Sequence, residues 1–322
     1  MAESVRWGVL SAAKIAKEWL CPAIHNCTDG HLAAIASRTP GKAADLAKPY
    51  RGVKLFDDYD ALLTSSDIDA VYIPLPNAAH VEWTNRALDA GKHVLCEKPI
   101  ALKAEEIDGL ISARDRSGLL AAEAFMVVHH PQWKRIRELL SEGVIGDLRH
   151  VQGAFSFFND DLKNIRNDAS QGGGALRDIG VYPSVTTRFA TGEEPKKARS
   201  KITWDNGIDA TARVWAEFPS FSLDFYVSMR MHPRQEMVFH GSNGWIKVLT
   251  PFNAKLYGDD VLEIRDQTGS IRLERFPMVD QYVQQINAFN SSILNSSDYP
   301  CTLEFSRGNQ VMIDMIYAGE VD

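Results

Sequence analysis

Short apolar runs alternate with amphipathic stretches over the first 124 residues of the chain. The runs have the length and composition of buried strands, and the stretches between them have the spacing of helices. Strands are predicted at 5–10, 31–36, from 69 onward, at 93–95 and at 119–125, and helices at about 11–25, 78–90 and 104–117. This strand–helix alternation predicts a doubly wound parallel sheet of the Rossmann type.

From His130 onward the pattern changes. A helical stretch through Trp133 is followed by a strand at 150–158, and strict alternation of apolar and polar residues then marks strands at 212–218 and 223–229. A hairpin is predicted for 237–248, and two helices near 279–294 and 303–318. We therefore expect an α/β protein with two domains. Residues 1–124 are expected to form a dinucleotide-binding domain of the Rossmann type. Residues 125–322 are expected to form an α+β domain for substrate binding and dimerisation, with a large, mainly antiparallel open sheet.

Composition narrows the class of protein. The chain has 322 residues, is 45% hydrophobic and 24% charged, and carries a formal net charge of −7. A negative net charge gives no reason to expect nucleic acid or an anionic membrane as a partner. No leader or membrane-spanning run is apparent, which predicts a cytoplasmic protein. The four cysteines show no zinc-ligand spacing, so no metal is predicted.

Lys98 is the first candidate for chemistry. Gly91 is placed as the left-handed cap of the preceding helix, and Pro99 ends the strand that follows. Lys98 is thereby held at the carboxyl end of a strand, where ligands bind in open α/β sheets. The alternative is a solvated lysine after a strand.

The turn after the first strand has the form of a dinucleotide site without its glycines. Ser11, Ala13 and Ala16 stand where the three small residues of that fingerprint belong. A strand, a turn of small residues and a helix N-terminus offer free backbone N–H groups to a pyrophosphate. An ordinary βα turn is the alternative.

The end of the second strand bears on the choice of cofactor. Ser37 and Arg38 lie where an NAD enzyme places an acidic residue on the ribose 2′-hydroxyl. A neutral residue followed by a guanidinium suits a 2′-phosphate, so NADP is predicted, with NAD possible. The alternative is an exposed loop arginine. Asn77, after a proline-rich corner, is expected to meet the cofactor.

A glycine-rich stretch in the second half precedes an acid and a phenol. Gly172 to Gly174 allow close approach of the backbone, and Asp178 and Tyr182 follow at i and i+4 of a predicted helix. Such a pair suits the binding of polyol hydroxyls and the transfer of a proton. An acid placed for the helix dipole and a tyrosine packed in a core are the alternative.

These motifs resemble the glucose–fructose oxidoreductase / inositol dehydrogenase / MocA family, over essentially the full length. Within it the chain is most similar to NADP-dependent aldose (D-xylose-type) dehydrogenases and dimeric dihydrodiol dehydrogenases. The resemblance is carried by Gly8–Ala16, Pro74–Asn77, Glu97–Pro99, His130–Trp133 and Gly172–Tyr182.

The resemblance implies roles for individual residues. Lys98 is expected to be the catalytic lysine, Glu97 to pack near the nicotinamide, and Asp178 to help bind substrate, while Tyr182 occupies the position of a catalytic histidine in inositol-type members. The expected cofactor-binding residues are Ser11, Ala12, Ala13, Lys14, Ile15, Ser37, Arg38, Pro74, Leu75, Asn77, His80, Glu97 and Lys98. The expected substrate-binding residues are Phe125, His130, Asn164, Arg166, Asp178 and Tyr182. A homodimer through the sheet face is also implied, consistent with Trp215 and Tyr226 on its more polar side.

The hypothesis is an NADP-dependent oxidoreductase that moves a hydride between a sugar hydroxyl carbon and the nicotinamide. An ammonium about 4 Å from a phenol contributes about 4 kcal/mol at an effective dielectric constant of about 20, equivalent to about 3 in pKa. Lys98 would thus make Tyr182 an effective acid/base and stabilise the alkoxide. The alternatives are a trans-dihydrodiol dehydrogenase, a keto-sugar reductase, and a non-catalytic NADP(H) sensor.

Overall fold

The computed structural model describes residues 4–256 and 260–321. Its strands, in chain order, are β1 (Val5–Leu10), β2 (Gly30–Ala36), β3 (Lys54–Phe56), β4 (Ala70–Ile73), β5 (His93–Cys96), β6 (Ala121–Glu123), β7 (Leu148–Phe158), β8 (Lys197–Asp205), β9 (Ile208–Glu217), β10 (Ser222–Ser228), β11 (Arg230–Gly241), β12 (Trp245–Val248), β13 (Val261–Arg265) and β14 (Ile271–Arg275). Its α-helices are α1 (Cys21–Asn26), α2 (Lys42–Ala47), α3 (Tyr59–Leu63), α4 (His80–Asp89), α5 (Ala104–Ser117), α6 (Pro131–Ser141), α7 (Val181–Thr191), α8 (Gln281–Asn295) and α9 (Leu303–Ala318).

The chain folds into two compact units that are not simple halves of the sequence. The first contains the residues up to His129 together with Asp280–Arg307, and the second contains His130–Val279 together with the residues from Gly308 onward. Thus α8 packs with the first unit, although the sequence pattern placed it in a second domain beginning at residue 125. The predicted domain boundary at 124/125 stays a prediction for the point where the chain first passes from one unit to the other.

The first unit is built on a parallel sheet. Within the described residues its six strands run in the order β3-β2-β1-β4-β5-β6, which is the order of a dinucleotide-binding sheet. The predicted Rossmann architecture is confirmed. The apolar pattern does not predict β3, because Lys54 and Leu55 of this three-residue edge strand are exposed.

A buried tryptophan ties the C-terminal segment into the core of the first unit. Trp7 of β1 is fully buried, its ring centroid lies 5.1 Å from that of Phe289, and its indole N–H donates to Asn290 at 2.9 Å. The Asn290 amide in turn donates to the Thr28 carbonyl at 2.8 Å. These contacts explain why α8 belongs to this unit.

The second unit is built on a large mixed sheet. Among the described residues its eight strands run in the order β14-β13-β12-β11-β7-β10-β9-β8. The predicted β9–β10 pair and the β11–β12 hairpin are antiparallel neighbours, as expected. The exception is β7, which pairs with β10 in parallel. The prediction of a large, mainly antiparallel sheet is confirmed.

Two helices begin as π turns instead of α-helix. Residues Ala16–Leu20 precede α1, and Leu176–Gly180 precede α7. In the second, the Val181 N–H donates to the Leu176 carbonyl, five residues back. The i, i+4 relation predicted for Asp178 and Tyr182 therefore differs from that of a regular α-helix, because backbone bonds in a π turn span five residues.

Candidate active site

The carboxyl end of β5 carries the predicted catalytic lysine. Glu97 and Lys98 are half-buried, and the Lys98–Pro99 peptide bond is cis. The Glu97 carboxylate accepts from the Tyr72 hydroxyl at 2.5 Å and from the Lys98 backbone N–H at 3.2 Å. Burial, and then the nearby Glu97, raise the pKa of Tyr72 well above its ordinary value, so this phenol stays protonated and donates. Glu97 is thus held in one orientation from two sides.

A second carboxylate lies at the end of the neighbouring strand. Glu123 of β6 is 3% exposed and accepts from the backbone N–H of Ile100 at 2.9 Å. Burial raises its pKa to about 7, and Glu97 adds to the increase, while the hydrogen bonds and Lys98 oppose it. Glu123 therefore anchors the chain just beyond Lys98 and titrates near neutral pH.

His80 connects the two loops at this edge of the sheet. It is fully buried, with its ring nitrogens 2.7 Å from the carbonyl oxygens of Leu75 and Pro99. Pro74 and Leu75 are buried, and Asn77 is half-buried at the start of a short 3₁₀ turn. Among the predicted cofactor residues, His80 is placed to hold these loops together.

The turn after β1 adopts a glycine-like backbone without glycine. Ser11 has φ +112°, in the region that favours glycine, and its N–H donates to the Ala36 carbonyl at 2.9 Å. The next residues are partly accessible: Ala12, Ala13 and Ile15 are half-buried and Lys14 is exposed. The residues present therefore fit the dinucleotide turn, because the backbone takes the required shape despite the missing glycines.

The end of β2 presents a guanidinium. Ser37 is buried, and its hydroxyl is 3.2 Å from both the carbonyl and the N–H of Thr39, which closes the turn. Arg38 is exposed, with its guanidinium carbon 4.8 Å from the Tyr59 ring centroid. No carboxylate in the described parts of the chain forms an ion pair with Arg38. The guanidinium is therefore supported by a ring and suits a phosphate.

In the second unit, the predicted substrate residues come together around an ion pair. Arg166 Nε lies 2.6 Å from Asp178 Oδ2, with 43% of the arginine side chain exposed and 13% of the carboxylate. Asn164 Oδ1 accepts from the Arg166 N–H at 3.1 Å. Asp178 therefore has an ion-pair partner in another loop. Its interactions go beyond the favourable effect of a negative charge on the helix dipole.

The glycine-rich stretch packs against that same loop. A Cβ at Gly173 would lie 2.5 Å from the Arg166 carbonyl oxygen, and one at Gly174 would lie 1.9 Å from a carboxylate oxygen of Asp209. The glycines therefore allow close approach to this chain's own backbone and to Asp209.

Tyr182 lies among aromatic rings. It is 6% exposed, and its ring centroid is 5.6 Å from those of both Phe155 and Phe252. The ring is fixed by packing, while Asp178 is fixed by its ion pair.

Two predicted substrate residues are fully buried. Phe125 and His130 are each 0% exposed. His130 Nδ1 accepts from the Gln132 N–H at 3.3 Å, which caps α6, and Nε2 lies 3.5 Å from Asp260. Burial holds the pKa of His130 below its ordinary value, against the opposing effect of Asp260. His130 therefore caps α6, and substrate binding by Phe125 and His130 stays a prediction.

The sequence pattern does not predict that Tyr72, Asp209 or Tyr317 belongs to the site. Tyr72 could have been predicted, because a tyrosine inside a buried strand needs a partner for its hydroxyl. Asp209 also interrupts an apolar stretch, and a buried acid requires compensation. Among the described residues no group of three or more His, Cys, Asp or Glu side chains is arranged to hold a metal ion, and no helix is long and apolar enough to cross a membrane.

Comparison with known proteins gives matches across both units. Residues 5–125 match the family described as an oxidoreductase family with an NAD-binding Rossmann fold, and residues 133–247 match the GFO/IDH/MocA C-terminal domain. The dTDP-3,4-didehydro-2,6-dideoxy-alpha-D-glucose 3-reductase of Actinomadura kijaniata is 31% identical over 100% of this chain and 97% of its own length. D-xylose 1-dehydrogenase (NADP(+)) 2 of Haloferax volcanii is 31% identical over 97% and 96%. A crystal structure of a 3-ketoreductase from Actinomadura kijaniata, in complex with NADP and TDP-benzene, matches with a TM-score of 0.91 at 31% identity over 99% of this chain and 98% of that one.

Proposed function

The chain belongs to the GFO/IDH/MocA oxidoreductase family, and from that premise we propose that it is an NADP-dependent enzyme that transfers hydride between a sugar carbon and the nicotinamide. The observation that carries the proposal is the position of Lys98 beside a fixed Glu97, at the carboxyl edge of a sheet with the dinucleotide-binding strand order. A sugar as substrate is supported by the two relatives that align over nearly their full length, a dTDP-sugar 3-reductase and a D-xylose 1-dehydrogenase.

The cofactor residues follow from the two turns of the first unit. The backbone from Ser11 to Ile15 would bind the pyrophosphate, and Ser37 with Arg38 would bind the 2′-phosphate. Glu97 and Lys98 would lie at the nicotinamide. NADP, when bound, supplies the carbon that accepts or donates the hydride.

The proton and the charge are handled by two other side chains. Tyr182 removes the proton from the sugar hydroxyl, and Lys98 stabilises the negative charge that develops on that oxygen. Asn164, Arg166 and Asp178 bind the remaining hydroxyls. The packed ring of Tyr182 and the fixed carboxylate of Asp178 support these roles, because both groups are held before substrate arrives.

The favoured substrate is an aldose-type polyol, oxidised by NADP+. A specific observation also favours reduction of a keto-sugar, since the 3-reductase relative aligns with the whole of this chain. In that direction Tyr182 donates the proton and Lys98 again stabilises the oxygen. The residue roles are the same in both directions.

The test is a panel of initial rates. NADP+ and NAD+ reduction is measured with aldoses, inositols and dihydrodiols, and NADPH oxidation with nucleotide-linked and free keto-sugars. Turnover of a sugar with strong preference for the phosphorylated cofactor supports the proposal. If no substrate is turned over in either direction while NADPH still binds, the proposal is contradicted.

We also propose that the chain forms a homodimer through the polar face of the second unit's sheet. Trp215 is 49% exposed on that face, one strand from Tyr226. Light scattering after chromatography should give twice the chain mass, and Trp215→Arg should lower it to a monomer. A wild-type monomer at micromolar concentration would contradict the proposal.

A further inference from the structure

A buried carboxylate lies beside the backbone that leads into the helix carrying Asp178 and Tyr182. Asp209, in β9, is 1% exposed. Its Oδ2 accepts from the Leu176 N–H at 2.6 Å, and its Oδ1 accepts from the Tyr317 hydroxyl at 2.8 Å. Both carboxylate oxygens are therefore used, one of them on the first residue of the π turn.

Gly174, two residues before this turn, lies so close to Asp209 that a larger residue would collide with the carboxylate. Gly174 has φ +128°, and a Cβ there would lie 1.9 Å from Asp209 Oδ1. The Gly174 N–H donates to the Arg166 carbonyl, and its own carbonyl accepts from the Asp178 N–H, both at 3.0 Å. The backbone from Gly174 to Asp178 is thus connected to Asp209 on one side and to the Arg166 loop on the other.

The charges around Asp209 keep it ionised at neutral pH. Burial raises its pKa to about 6, against the effects of the Leu176 N–H, the Tyr317 hydroxyl and the Arg177 charge. The Arg177 guanidinium carbon lies 5.4 Å from the Tyr317 ring centroid. The negative charge of Asp314 also acts on Tyr317 and raises the pKa of this phenol. Near pH 7.5 the carboxylate accepts both hydrogen bonds.

We propose that Asp209 is a positioning residue: it fixes the segment from Gly174 to Tyr182 and so sets the orientation of Asp178 and Tyr182. Asp209 acts through the Leu176 N–H and does not itself contact substrate. The inference rests on the proposed function only for its kinetic readout, since the order of the segment is measured without substrate.

The first measurement is amide hydrogen exchange of the full-length protein at pH 7.5. Asp209→Ala removes the acceptor and should raise exchange across 174–182 at least tenfold. Asp209→Asn should leave it within threefold of wild type, because its amide oxygen can face Leu176 while its NH₂ donates to Tyr317. Unchanged exchange in Asp209→Ala overturns the proposal, whatever the activity.

The second measurement is turnover of the sugar identified by the panel. Asp209→Ala should lower kcat at least tenfold while the Kd of NADPH stays within twofold, and Asp209→Asn should restore kcat to within threefold. The ratio of wild-type to Asp209→Asn kcat should fall as pH drops from 7.5 to 5, since the wild-type carboxyl becomes neutral near pH 6. Equal losses of kcat in both variants, or a ratio that moves further from one as pH falls, overturn the positioning role.

A second variant keeps the test decisive if Asp209→Ala does not fold. Gly174→Ala places a methyl group against the carboxylate and should raise exchange at Leu176. Gly192→Ala is the matched control, because Gly192 has φ +72° but nothing within 4 Å of the added carbon. Equal exchange in the two glycine variants overturns the proposal. If no sugar is turned over while exchange rises as stated, the proposed function fails and the positioning of the segment stands.

Discussion

Each unit holds a buried carboxylate that accepts a backbone N–H two residues from a candidate active-site side chain. In the first unit Glu123 accepts from Ile100, two residues after the lysine. In the second, Asp209 accepts from Leu176, two residues before the candidate acid. Both carboxyl groups have pKa values raised by burial, to about 7 and about 6 respectively. The same device thus fixes two unrelated pieces of backbone.

The two carboxylates differ in where they come from. Glu123 pairs with Cys96 in adjacent parallel strands, so the sheet register brings it to the end of β5. Asp209 comes from a strand 33 residues beyond Leu176 and needs Tyr317 as a further partner. A parallel sheet supplies neighbours at its carboxyl edge through its register, whereas an irregular turn has to obtain them from distant parts of the chain.

The contribution of the second unit is tested most severely at Tyr182. Tyr182→Phe removes the hydroxyl and keeps the ring, and we expect kcat to fall about 10³-fold, within the range for loss of a general acid/base. The Kd of NADPH should not change. Tyr50→Phe, at a half-buried tyrosine outside the proposed site and outside the sheet face proposed for dimerisation, is the control. Near-normal turnover of Tyr182→Phe would remove the tyrosine from the mechanism.

The contribution of the first unit is tested at Lys98. Lys98→Met keeps the length of the side chain without its charge, and we expect kcat to fall about 10²-fold because charge on the oxygen is no longer stabilised. Steady-state rates with saturating cofactor measure this.

The control for Lys98 is another lysine of the same unit. Lys92 is buried, and its ammonium donates to the carbonyls of Ser65 and Ile68 at 2.7 and 2.9 Å. Lys92→Met should lower stability with little change in kcat. Equal kcat losses in the two variants would mean that Lys98 is only structural.

A smaller effect, on the KM for the cofactor, is expected from substitution of a residue of the first unit. Arg38→Ala should raise the KM for NADP+ about 10- to 100-fold, because a charge-assisted contact to the 2′-phosphate is lost. The KM for NAD+ should stay the same. Arg51→Ala, another exposed arginine of this unit, is the control. A parallel rise in both KM values would place Arg38 elsewhere than at the phosphate.

The smallest expected effect is on stability, at Glu123. Its folded-state pKa of about 7 lies above the ordinary value, so its stabilising contribution is complete below about pH 4.5 and is lost as pH rises through 7. Glu123→Gln cannot ionise and keeps an acceptor for Ile100. Relative to wild type it should gain about 2 kcal/mol in free energy of unfolding between pH 5 and pH 8.

Thermal unfolding at the two pH values measures this gain, and exposed Glu105→Gln is the control. A difference between Glu123→Gln and wild type that does not change with pH would mean that Glu123 stays ionised in the folded protein.

Periodicity predicts the parts of this molecule that repeat. The parallel sheet, the β9–β10 pair and the β11–β12 hairpin follow from runs and alternation of apolar residues, and the end of β5 follows from Gly91 and Pro99. The π turn before α7 does not follow from periodicity, and its first N–H is bonded to Asp209, 33 residues further along the chain. Likewise His130 has the composition of a binding residue, but its burial and helix-capping contact depend on packing that no local pattern describes.

The composition of the first unit has an evolutionary consequence. Its core includes Phe289 and Asn290, so a gene fragment that ends near residue 124 would encode a protein with Trp7 lacking its ring and amide partners. Exchange of this unit between relatives by recombination therefore requires crossovers near 129, 280 and 307. Inheritance of the two units as one gene is the expected outcome, and new specificities should arise by substitution within loops more readily than by shuffling of whole domains.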